Sequence, residues 1–115
     1  MKTLLLASSA ALVLIGQGAN AERRVYSGAE LTALKCAAYY SYVTQVMENR
    51  GLLSDQDMQS GANAGQYILT NYIGGTWDQK FQAYEQILTR MPRDDLELID
   101  AAADHLESCE MQYFQ

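Results

Sequence analysis

His105 is the chain's only histidine and follows Asp104, and an imidazole beside a carboxylate could serve as a general base or a metal ligand. Neighbours in sequence point about 100° apart on a helix, however, so the pair cannot share a face, and no second histidine exists to complete a metal site. Serine, histidine and aspartate all occur, but no Gly-x-Ser-x-Gly turn joins them into a nucleophilic site. Gly74-Gly75 is not followed by Lys-Ser or Lys-Thr, so a phosphate-cradling loop of the P-loop type is also missing. The expectation is a protein that is not an enzyme, with no catalytic residues, no metal and no cofactor. An enzyme or metal protein using Asp104 and His105 is the competing class.

Cys36 and Cys109 are the only cysteines. A redox-active dithiol usually sits as Cys-x-x-Cys with a depressed pKa, whereas these lie 73 residues apart. The start of the chain decides their state. Lys2 supplies a positive charge, an uncharged and largely apolar run from Leu4 to Ile15 follows, and Ala19-Asn20-Ala21 closes the segment with small residues. That order is a signal peptide over 1–21, with cleavage before Glu22. The run is 12 residues long, too short to span a bilayer, which needs about 20 residues at helical rise. No stable membrane anchor is therefore expected after cleavage, and the destination is the periplasm or the exterior. There, thiols oxidise, so one intramolecular Cys36–Cys109 disulfide is expected. A loop of that length is worth roughly 4 kcal/mol by chain entropy, as an upper figure.

Residues 22–115 make a single domain, of a size at which a core alone gives modest stability. Lys2 leaves with the signal and no acid does, so 14 acids face 7 bases and the formal charge falls from −6 to −7. Phosphate binding needs clustered Lys and Arg, which argues against nucleic acid as a partner.

Half of the acids lie between Asp94 and Glu110, and no Lys or Arg occurs from Asp94 onward. Glu97, Asp100, Asp104 and Glu107 step by three, four and three, which places them on one helix face. Like charges at those spacings cost a few tenths of a kcal/mol per pair, so the stripe serves solubility, a basic protein partner or, with no EF-hand loop to support it, a hard cation such as calcium. Tyrosine is the other bias. Tyr39, Tyr40 and Tyr42 fall within four residues and cannot all face inward, and an exposed tyrosine contributes contact area with little rotamer loss. Asp100, Asp104, Glu107, Tyr39, Tyr40 and Tyr42 are thus the candidate binding surface.

Four helices must position these residues. Ser27 with Glu30 reads as a capping box opening the first, whose apolar positions run through Leu34, Ala38 and Val43 to Met47 before a stop at Gly51. Ser54 opens the second, with Met58, Ala62, Gly65, Leu69 and Tyr72 as its stripe; Gly61 and Gly65 thin it for a close helix crossing. Thr76 with Gln79 opens the third, where Trp77, Phe81, Tyr84, Leu88 and Met91 predict a core face with Trp77 and Phe81 buried. Asp94 opens the fourth, with Ile99, Ala102, Leu106, Cys109 and Tyr113 inward. Short connections predict an all-α four-helix bundle, up-down-up-down or an irregular relative, which sets Cys109 beside Cys36.

In size, export and a single long-range disulfide the chain is similar to the small helical acid-stress chaperones of the bacterial periplasm. That architectural resemblance implies a fold that loosens or exposes apolar surface when carboxylates are protonated. The leading expectation is a non-enzymatic exported binding protein, of the inhibitor or immunity type, acting through protein contacts; the chaperone is the alternative.

Overall fold

The computed structural model describes residues 23–115, and the signal-peptide reading of 1–21 and the start at Glu22 lie outside them. Helix α1 runs as Gly28–Ala38, widens into a π-helical stretch at Tyr39–Val43, and continues as Thr44–Asn49. Helices α2 (Asp55–Asn71), α3 (Trp77–Thr89) and α4 (Asp95–Tyr113) follow, and no strand occurs among the described residues.

Three of the four expected caps form. Ser54 accepts the Asp57 amide at 3.0 Å and Asp94 that of Glu97 at 3.0 Å. Thr76 and Gln79 make a full reciprocal box. Each satisfies a backbone amide that the first helical turn leaves without an intrahelical partner. The Ser27–Glu30 box does not form: Ser27 makes no side-chain cap. Glu30 is drawn away to a tertiary partner, accepting the Gly74 amide at 2.8 Å and pairing with Arg24 at 3.0 Å.

Helix α1 is the centre of the bundle, and the other three pack on it more than on one another. Gly74 beside Glu30 and Gly61 beside Thr44 show that α2 runs antiparallel to α1. Cys109 bonded to Cys36, with Asp95 paired to Arg50 at 3.4 Å, shows the same for α4. Helix α3 leans mainly on the Gly28–Ala38 part of α1. The arrangement is therefore an irregular relative of an up-down-up-down bundle, stapled by the disulfide between first and last helices, whose Cα atoms are 5.7 Å apart.

The glycines and the π stretch meet at one crossing. A Cβ on Gly61 would lie 2.6 Å from the Tyr40 carbonyl oxygen, and one on Gly65 2.9 Å from that of Ala37. Opposite them, Ser41 donates its hydroxyl to the Ala37 carbonyl at 2.8 Å and Thr44 donates to that of Tyr40. Such side-chain bonds supply donors to carbonyls where the α-helical ladder is interrupted. Helix α2 is thinnest where α1 is widest.

Leu34, Ala37, Ile68 and Ile87 centre one core cluster under α1, α2 and α3, and Val43, Val46, Leu98 and Ala102 a second between α1 and α4. The expected face of α3 requires correction. Trp77 and Phe81 are 43% and 49% exposed, and Lys80 and Ile87 are buried instead. Lys80 turns the helix: its Nζ donates to the Leu69 carbonyl at 2.7 Å, in the last turn of α2, and lies 4.5 Å from the centre of the Trp77 ring. A cation there satisfies an end carbonyl and the negative pole of the helix, while its alkyl stem is buried. Tyr72, expected inward, is also exposed.

Candidate binding surfaces

Correcting the face of α3 opens the first surface. Trp77 and Phe81 stack at 5.3 Å between ring centres, on the rim of a groove of about 370 Å³ whose walls are α2 and α3. Its lining is mainly apolar: Ala62, Gly65 and Leu69 from α2, Tyr84 from α3, and Ser41 from the π stretch of α1. Tyr84 and Ser41 share a hydrogen bond at 2.6 Å. Burial holds the Tyr84 phenolic proton more tightly than usual, with the Ser41 bond opposing and nearby Tyr42 adding to the shift. The small residues that permit the α1–α2 crossing thus also hollow the groove.

A second surface lies where the C-terminal ends of α2 and α4 meet. Five rings form an unbroken chain: Tyr40 to Phe114 at 5.5 Å, Phe114 to Tyr67 at 5.6 Å, Tyr67 to Tyr72 at 6.1 Å, and Tyr72 to Tyr113 at 4.8 Å. Tyr67, Tyr72 and Phe114 are 46%, 43% and 37% exposed. Tyr40 donates its hydroxyl to Glu110 at 3.0 Å; burial, then that carboxylate, pushes its pKa up to about 12. Tyr72 is raised by Tyr67 and by burial, and Tyr113 by burial and by Tyr72. These three phenols are accordingly neutral at physiological pH.

Asp100, Asp104 and Glu107 stand exposed along α4, and none of them has an ion-pair partner among the described residues. The three tyrosines of the π-helical stretch separate. Tyr39 is buried with its ring 4.6 Å from that of His105, Tyr40 is half-buried, and Tyr42 points outward. His105 itself is exposed and makes no hydrogen bond to Asp104. Among the described residues no three His, Cys, Asp or Glu side chains converge as a metal site would require, and no helix is long and apolar enough to cross a membrane.

Sequence spacing points to neither the Trp77–Phe81 rim nor the five-ring chain as a binding surface, although it does single out Tyr40, one of the five rings. Helical spacing assigns Trp77 and Phe81 to the core, because nothing local reveals that Lys80 will be buried. The ring chain draws on residues far apart in sequence, but one signal does foreshadow it. With the disulfide aligning α4 against α1, and α2 also antiparallel to α1, the ends bearing Tyr67, Tyr72, Tyr113 and Phe114 must lie together. Compared with models of known protein families, with curated proteins and with solved structures, the chain matches none.

Proposed function

We propose that this is a non-enzymatic, exported protein that acts by binding another protein, and that the α2–α3 groove is its principal contact surface. The observation that carries the reading is the placement of Trp77 and Phe81. Two large rings are stacked, about half exposed, on the edge of an apolar groove. Aromatic anchors of this kind contribute most of the energy at protein interfaces, because they bring large area with few rotatable bonds. The Lys80 ammonium beneath Trp77 and the packing of Tyr84 hold the rim in place before any partner arrives, which reduces the ordering cost of association. A groove of about 370 Å³ is large enough for a bulky apolar side chain of the partner. Export is supported by the pattern of Lys2, the largely apolar run to Ile15 and the small residues at 19–21, which reads as a signal peptide, and by the disulfide, a bond that persists in oxidising compartments.

The test is affinity capture from a cell-envelope extract with the mature protein and with the Trp77→Ala/Phe81→Ala double variant as baits. A stoichiometric protein partner retained by the first and lost by the second, with both baits equally resistant to urea, is the expected result. Equal capture by the two baits would remove the groove from the contact. A bound small molecule or metal in place of a protein would overturn the reading.

A further inference from the structure

The five-ring chain shares no residue with the groove, and its chemistry is narrower. Single exposed rings are ordinary on a small domain, but here exposed Tyr67, Tyr72 and Phe114 are joined with half-buried Tyr40 and Tyr113 into a continuous patch of the kind associated with contact. Aromatic faces carry negative electrostatic potential from their quadrupoles. Here that potential is reinforced. Glu110 lies at the edge of the patch with one carboxylate oxygen engaged by Tyr40, and Glu107, Asp104 and Asp100 continue away from it along the exposed side of α4. Helix α4 contains no Lys or Arg to offset them.

That combination selects among occupants. An anionic segment would be repelled, and a neutral apolar one would desolvate the carboxylate edge without compensation. A cation suits both elements, and the guanidinium suits them best. Its flat, weakly hydrated face stacks on rings while its in-plane N–H groups pair with a carboxylate, whereas an ammonium is a compact, strongly hydrated charge. We infer that the platform formed by Tyr40, Tyr67, Tyr72, Tyr113 and Phe114, with Glu110 at its edge, receives an arginine-bearing segment of a partner protein. The inference rests on the protein-binding reading and adds the partner's chemistry, on a surface distinct from the groove.

The experiment is a proton NMR titration of the mature, oxidised protein with a capped Gly-Arg-Gly-Arg-Gly peptide, beside its lysine and glutamate counterparts, at low and high salt. Saturable shifts of the Tyr40, Tyr67 and Phe114 ring protons are expected with the arginine peptide, weaker ones with lysine and none with glutamate. Phe114→Ala and, separately, Tyr67→Ala should each weaken arginine-peptide binding about two- to fivefold, as the loss of one exposed cation–π contact requires. Glu110→Gln should weaken it and flatten its salt dependence. Unmoved ring protons, equal shifts from the glutamate peptide, or shifts confined to Asp100, Asp104 and Glu107 would each overturn the inference. None of these would alter the capture result with the groove variant, so the two readings fail separately.

Discussion

The carboxylate of Glu30 accepts the backbone amide of Gly74 at 2.8 Å across 44 residues of chain. Tyr26 donates its hydroxyl to the carbonyl of the same glycine at 2.7 Å, so both polar groups of Gly74 are held by the segment that opens the described chain. Arg24 completes the clasp, paired with Glu30 and lying 4.9 Å from the centre of the Tyr26 ring.

The clasp is sensitive to acid. The Gly74 amide, assisted by Arg24 against some desolvation, lowers the Glu30 pKa below its ordinary value. A lowered folded pKa stabilises the fold above the unfolded value of about 4.3 and loses that contribution as pH falls through the folded pKa. Urea midpoints measured from pH 6 down to pH 3 should therefore fall more steeply for wild type than for Glu30→Gln. Parallel pH profiles would dismiss the clasp as an acid-labile element.

At the alkaline end the sign reverses. The Tyr40 pKa is raised to about 12, so its contribution is complete below the unfolded value of about 10 and lost as pH rises toward 12. Tyr40→Phe, which cannot ionise, should lose less stability than wild type over that interval in urea titrations.

A core side chain and a groove-rim side chain should respond differently to truncation. Leu34 is fully buried, and Leu34→Ala should cost about 2–5 kcal/mol. Phe81 is 49% exposed, and Phe81→Ala should cost less than about 1 kcal/mol in the same urea assay. A large cost at Phe81 would mean that the rim is part of the core in solution.

Replacing Gly61 by alanine pits local preference against tertiary fit. Alanine favours a helix by about 1 kcal/mol over glycine, yet the new Cβ would lie 2.6 Å from the Tyr40 carbonyl, a backbone atom that cannot rotate aside. The variant should be destabilised by about 1–3 kcal/mol, and more stable variants at exposed Asn63 would show that the loss is specific to the crossing.

Oxidised and reduced protein should differ by up to roughly 4 kcal/mol in urea, since the Cys36–Cys109 bond closes a 73-residue loop. The intact mass of the oxidised chain should be that of an intramolecular disulfide with no thiol open to alkylation.

What was legible in the sequence was local or chemical. Ser54, Thr76 and Asp94 announce helix starts because a cap needs only residues within one turn, and two lone cysteines leave one possible intramolecular pairing. The Gly61–Gly65 spacing correctly marked a close crossing. Illegible features were those decided by distant atoms: Glu30 leaving Ser27 for Gly74, and Lys80 displacing Trp77 and Phe81 from the interior. The π stretch has no period of its own to detect. For the site, the exposure of Asp100, Asp104 and Glu107 followed from charge and spacing, whereas Tyr39 proved buried against His105 and the ring platform needed the helix ends to be assembled first.

The central place of α1 has a mechanical consequence. The outer helices lean on α1 more than on one another, but α4 is welded to the axis by a covalent bond while α2 and α3 are held by packing and by hydrogen bonds such as Lys80–Leu69 and Tyr84–Ser41. Amide exchange should accordingly be slowest around Leu34 and Val43, with opening of α3 the easiest sub-global motion, since it leans mainly on one half of the axis. The groove has one wall on that loosest helix, so opening of α3 would dismantle it, and an occupant seated against both walls would suppress that opening. The ring platform instead bridges a welded helix and an unwelded one, and an occupant there would act as a second clamp across the same two ends.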